Sequence, residues 1–214
     1  MSGSSDASRA TARLLVTLFV PLVVAGPTPA WQGGSTVATE RILEALHARA
    51  DSTICEIGAG NGELSLEAAR RVGPAGHVYA SELGDDRVRR LRERVASSRL
   101  SQITVVAGDP VKTNFPRAAC DALFMRNVYH HFADPAAMTA SIAAALKAGG
   151  LVAVVDFRPP GDEAASPADR DNDGTHGVTA DTVTRELQAA GFVPLTTERG
   201  TERWYMVVAA KPAL

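Results

Sequence analysis

From residue 53 onward, short apolar runs alternate with stretches in which apolar side chains recur every three or four positions. The first pattern marks a buried strand, the second a helix with one face on a core. Runs at 53–57 (TICEI), 76–82 (GHVYASE), 103–107 (ITVVA), 122–125 (ALFM) and 151–157 (LVAVVDF) predict five strands, and 192–197 and 203–210 predict two more. Helices are expected over 37–48, with Val37, Ile42, Ala45 and Leu46 along one side, and over 62–72. A third starts near Asp85 and Asp86 and buries Val88, Leu91 and Val95. A fourth opens at Asp134 and Pro135, an N-cap followed by proline at the first helical position, and ends at Gly149 and Gly150. A last helix over 179–190 is closed by Gly191, and the polar stretch 158–177 reads as a surface loop. Strands alternating with helices, then a terminal strand pair, predict an α/β sandwich around a mostly parallel sheet.

Within this pattern the run ICEIGAGNGELSLEAAR (54–70) places glycines at every second position, Gly58, Gly60 and Gly62, between a strand and a helix. Glycine removes the Cβ that would block close approach to a ligand. In an open parallel sheet, ligands bind outside the carboxyl ends of the strands, where strand order reverses. Glu82 ends the second strand, 24 residues after Gly58. A carboxylate there can accept hydrogen bonds from both hydroxyls of a ribose, so a nucleoside ligand is expected. A nicotinamide dinucleotide would prefer G-x-G-x-x-G, but the third glycine is one residue early and Glu63 stands in its place. A glutamate at that helix N-terminus faces phosphates with the wrong sign.

The E-x-G-x-G-x-G form resembles the first motif of class I S-adenosylmethionine-dependent methyltransferases, and the resemblance extends over most of 36–211. VVAGDP (105–110) is similar to the family's third strand end, CDALFMRNVYHHF (120–132) to its fourth strand and following loop, and LKAGGLVAVVDF (146–157) to its L-x-P-G-G unit, with Ala148 replacing the proline. HGVTADTVTRELQAAGF (176–192) resembles the terminal segment of small-molecule members, and VYHHF-x-DP (128–135) a group of exported bacterial members. The resemblance implies a Rossmann-like fold: a seven-stranded, mostly parallel sheet with an antiparallel last strand and helices on both faces. It implies S-adenosylmethionine as cofactor, held by Glu56, Gly58, Ala59, Gly60, Gly62, Glu82, Asp109, Arg126 and Asn127. Asp109 would bond the adenine amino group, and Arg126 and Asn127 would lie beside the methionine part.

Methyl transfer from a sulfonium asks mainly for alignment, with a general base where the acceptor has a proton to lose. Tyr129, His130 and His131 follow the fourth strand on the acceptor side and are the candidate catalytic groups; Asp156 and His176 are candidate pocket residues. Adjacent His130 and His131 are not spaced to grip one metal from a helix, so no metal is expected. DRDNDG (169–174) starts like a calcium loop, but Ala180 stands where a bidentate glutamate should be.

Length and charge narrow the class. The 214 residues, 45% hydrophobic and 21% charged, fit one folded domain, over 35–214. A net charge of −2 carries no electrostatic footprint for nucleic acid. The arginine-rich helix at 87–94 reads as a solvated face, and no N-P-P-Y-like run follows the fourth strand, so a small-molecule acceptor is expected. Cys55 and Cys120, the only cysteines, read as small buried hydrophobes. In residues 1–34 only Asp6, Arg9 and Arg13 carry charge, and the apolar run 14–25 precedes small residues, a signal-like leader. It predicts an exported or periplasmic domain, or membrane association through 14–25. The alternative is a cytoplasmic domain, which agrees better with a cofactor made in the cytosol. Two other functions stay open: an NAD-dependent oxidoreductase, and a nucleoside-binding scaffold of the same fold without catalysis.

Overall fold

A computed structural model describes residues 37–200 and 202–213. The elements run α1 (Thr39–Ala45), β1 (Thr53–Ile57), α2 (Glu63–Val72), β2 (His77–Glu82), α3 (Asp85–Ser98), β3 (Ile103–Ala107), β4 (Cys120–Arg126), α4 (Pro135–Ala145), β5 (Leu146–Phe157), α5 (Ala180–Ala189), β6 (Val193–Arg199) and β7 (Trp204–Ala210). Two single 3-10 turns add Tyr129–His131 after β4 and Pro167–Asp169 before α5.

All seven strands form one sheet in the order β3-β2-β1-β4-β5-β7-β6. Pairing is parallel from β3 through β5, and β7 runs antiparallel to both β5 and β6. The expected α/β sandwich with an antiparallel last strand is the observed fold. Strand order reverses between β1 and β4, so the loops leaving these two strands part there and open a crevice.

Alternation along the strands buries both faces. Ala122 and Phe124 of β4 pack with Leu43, Leu66, Val72 and Leu91 beneath α1, α2 and α3. Leu123 and Met125 pack on the other face with Ile142, Val183 and Leu187 of α4 and α5. On α3 the stripe Val88 and Leu91 is buried while Arg89 pairs with Asp86 in solvent, the solvated face that its pattern predicts.

Four details differ from the sequence reading. α1 is shorter than 37–48, because the chain leaves the helix at Leu46 and His47 turns to a positive φ of 52°. β5 begins at Leu146, directly after α4, rather than at residue 151. Its first residue pairs with Cys120, and the register then shifts to Ala122–Leu151, so the polar and glycine-rich KAGG is accommodated in an irregular stretch that no apolar run announces. The loop 158–177 is pinned rather than merely surface-lying: Arg170 is buried against Glu186 at 2.5 Å, and Glu163 accepts from the amide and hydroxyl of Thr179 at 2.9 and 3.0 Å.

The fourth concerns the cysteines. Both are fully buried, as expected, but Cys55 of β1 and Cys120 of β4 form a disulfide with Cα atoms 5.9 Å apart. The two strands are neighbours only because the crossover returns β4 beside β1, a decision that a separation of 65 residues conceals. The leader at 1–34 lies outside the described residues. Among the described residues no helix is long and apolar enough to cross a membrane.

Candidate functional site

The three glycines of the loop after β1 are required for different reasons. Gly58 has φ +71°, and a Cβ there would lie 2.4 Å from Val128 Cγ2. Gly62 has φ +80°, and a Cβ would lie 2.7 Å from Leu91 Cδ1. Both serve the packing of the loop against its own fold. Gly60, at φ +56°, has nothing within 4 Å of its missing side chain, so its bare backbone faces open space.

That space is a cleft of about 530 Å³ at the carboxyl ends of the strands, a size ordinary for a small-molecule or cofactor site. Gly58, Gly60, Glu82, Asp109, Arg126, Asn127 and His131 line it, seven positions that the sequence singles out. Glu82 Oε2 accepts from the Gly60 amide at 2.6 Å, and Oε1 from the Leu83 amide at 2.9 Å. The carboxylate is therefore fixed in orientation on the wall of the cleft. Asp109 folds into a local turn, its Oδ1 accepting from the Val111 amide at 2.9 Å. Arg126 is half-buried and reaches the Val37 carbonyl at 3.5 Å, while Asn127 holds a positive φ of 59° and donates its amide to Val155.

Glu56, the last acidic position before the loop, is buried beneath it and accepts from the Ser65 hydroxyl. Its carboxyl is pushed up to about 7, chiefly by burial and also by Glu82, with the Ser65 bond and the Arg126 guanidinium pulling the other way. Ala59 is buried, its amide bonding the Ser81 carbonyl, and it holds the loop to β2.

The candidates after β4 separate. Tyr129 is fully buried beside Phe132 and does not line the cleft; its hydroxyl has no hydrogen-bond partner among the described residues, and burial, with the nearby Glu186 carboxylate, raises its pKa. It packs the core under the turn. His131 is half-exposed, lines the cleft and holds Asp171 Oδ1 at 2.7 Å through Nδ1. His130 is buried, with Nδ1 2.8 Å from Asp156 Oδ1 and Nε2 3.1 Å from His176 Nε2. Asp156 is wholly buried and does not reach the cleft; it also accepts from the amides of His130 and Phe157, so it orients His130.

The structure adds residues that the sequence reading did not place here. Leu83, Lys112, Val128, Phe132 and Met138 complete the wall, and Asp171 comes from the calcium-like run to stand between the histidines. A second cleft of about 520 Å³ opens at the amino ends of the strands around Asp121 and Lys147, which bond each other at 2.6 Å, away from the glycine loop.

Residues 54–150 match the family described as a methyltransferase domain. The chain is 27% identical over 175 residues to the protein-L-isoaspartate O-methyltransferase of Ignicoccus hospitalis, covering 80% of this chain and 77% of that one. It is 30% identical over 120 residues to the ubiquinone/menaquinone biosynthesis C-methyltransferase of Methylococcus capsulatus, covering 54% of this chain and 47% of that one. A solved SAM-dependent methyltransferase from Aquifex aeolicus superposes with a TM-score of 0.69 at 20% identity, over 81% of this chain and 89% of that one. In sequence the chain is thus similar to methyltransferases over its central part. The chain spans about half the length of the quinone-biosynthesis relative, and the structural likeness speaks for the fold. The glycine loop, Glu82 and the β4 loop all fall inside the matched region, whereas Asp156, Asp171 and His176 lie beyond it.

Proposed function

We propose that the protein transfers the methyl group of S-adenosylmethionine to a small-molecule acceptor. The observation that carries this reading is the Glu82 carboxylate, fixed by two backbone amides on the wall of the cleft beside the open backbone of Gly60. Glu82 would bind the two ribose hydroxyls and Asp109 the adenine amino group. Arg126 and Asn127 would flank the methionine end. The cofactor would supply a methyl group already activated on a cationic sulfur. This chain's part is then to bind, to align and to keep water from the reacting centre. Val128, Phe132 and Met138 give an apolar wall, and His131 is the group at the cleft suited to hold or take a proton from an acceptor. Glu63, exposed at the first position of α2, favours this cofactor over a dinucleotide pyrophosphate.

The Cys55–Cys120 disulfide supports placing the domain in an oxidising compartment, in line with the export expected from residues 1–34. Calorimetric titration of the purified chain with S-adenosylhomocysteine and, separately, with NAD tests the cofactor. Saturable binding of the first alone agrees with the reading. Binding of NAD alone would sink it, and binding of neither would leave a fold without this chemistry.

A further inference from the structure

Three side chains outside the cleft lining, His130, Asp156 and His176, converge with Asp171 of its wall just beyond the acceptor side. We propose that His130, His176 and Asp171 form a binding site for a divalent transition metal, with Asp156 behind it as the group that orients His130. One donor atom from each of the three ligands lies within 4.8 Å of the others.

The geometry distinguishes this from a chance meeting of histidines. Asp156 is completely buried and offers only acceptor oxygens; one takes the His130 ring proton at Nδ1 over 2.8 Å. That bond fixes the tautomer and leaves the Nε2 lone pair of His130 facing outward. A carboxylate behind a histidine in this manner is the arrangement found behind metal-bound imidazoles. The outward nitrogen meets Nε2 of His176 at 3.1 Å and Asp171 Oδ1 at 3.9 Å. Two imidazole nitrogens at 3.1 Å share either one proton or one cation. A metal at the usual distance of about 2.0–2.1 Å from both would subtend an angle of about 100°, within the range of tetrahedral and octahedral sites. The third donor, Asp171, favours the cation. It is exposed and bonds His131 Nδ1 at 2.7 Å, so its carboxylate already stands beside the histidines.

Two imidazoles and one carboxylate suit zinc, cobalt, nickel or ferrous iron and not calcium or magnesium. The calcium-like DRDNDG run is thereby reassigned: its Asp171 belongs to the histidines, while Asp169 is engaged by Asn172 at 3.3 Å. The spacing of His130 and His131 alone excluded a metal because the missing ligand comes from a loop 46 residues away.

His131 and Asp171 line the cleft, so the proposed metal site borders its acceptor side. On the methyl-transfer reading, on which this step rests, the acceptor would carry an oxygen donor. Coordination of a hydroxyl there lowers its pKa, its proton leaves to solvent, and the oxygen stays fixed beside the cofactor.

The test uses the full chain without a histidine tag. Zinc is titrated calorimetrically, cobalt is followed by its visible absorption, and S-adenosylhomocysteine is titrated separately to report the methyl-transfer reading by itself. The expected result is one equivalent of zinc, with affinity reduced about tenfold or more in His176→Ala and in Asp171→Asn. Both substitutions are at exposed positions, so unchanged melting curves show that the fold persists. Absence of zinc and cobalt binding to the wild-type chain overturns the proposal, as does zinc binding that both substitutions leave intact. Binding of calcium without zinc overturns it as well.

Discussion

The carboxylate of Glu82, the last residue of β2, accepts a hydrogen bond from the backbone amide of Gly60 at 2.6 Å across the mouth of the cleft. This bond joins the loop after β1 to the end of β2 and sets the carboxylate where a ribose would lie. Charge-assisted bonds of this kind contribute about 1.5–3 kcal/mol each when buried. Glu82→Gln is therefore expected to weaken S-adenosylhomocysteine binding about 10- to 100-fold, read by calorimetry. Unchanged affinity would remove Glu82 from the cofactor site.

Gly58 and Gly60 should respond differently to the same substitution. Gly58→Ala drives a methyl group into Val128 at a positive φ and should cost about 2 kcal/mol or more of stability. Gly60→Ala meets open space and should cost only about 1 kcal/mol, the penalty of its left-handed backbone. It should nevertheless weaken cofactor binding, because the new methyl group stands where a ligand would approach the bare backbone. Denaturant melts paired with ligand titration separate the two effects.

The disulfide constrains a loop of 65 residues in the unfolded chain, which on the chain-entropy account stabilises the fold by about 4 kcal/mol. The Cys55→Ala, Cys120→Ala double variant is expected to unfold at lower urea concentration by that measure. Alkylation of the purified chain under denaturing, non-reducing conditions should leave both cysteines unlabelled. Complete labelling would show that the bridge is absent and withdraw its support for an oxidising compartment.

Glu56 titrates in the folded protein at about 7 because burial disfavours its charge. Unfolded, it returns to the ordinary carboxyl range near 4.3. The folded state thus binds the proton more tightly, so this stabilisation is complete below the unfolded pKa. It is lost as pH rises through about 7. The loss is on the order of 3 kcal/mol. Stability measured across this window should fall with pH in the wild type and much less in Glu56→Gln. An equal slope in both would show that another group is responsible.

The seven strands and their helices are legible in the chain because apolar periodicity reports local burial directly. The run LVAVVDF, apolar except for Asp156, signals a strand covered on both faces, and β5 holds it in the interior of the sheet. The start of β5 is not legible, because Leu146 enters the sheet through its pairing with Cys120 and not through any apolar run. At the site, Gly60 and Glu82 could be singled out because one follows a predicted strand and the other ends one, and strand ends in such sheets share one edge, whereas Asp109 and Arg126 are legible only through the resemblance of VVAGDP and CDALFMRNVYHHF to family motifs.

The sequence by itself determined the order of elements, the parallel sheet and the glycine-and-carboxylate wall of the cleft, since these depend on residues near one another or at the ends of regular elements. Only the tertiary structure decided which side chains meet across large separations. It buries Tyr129 while leaving His131 at the cleft, although they are two positions apart, because successive side chains of a 3-10 turn point about 120° apart. It joins Cys55 to Cys120 and brings His176 and Asp171 to His130. The physical reason is that strand order and loop docking are set by the packing of the whole core, which no local pattern of residues encodes.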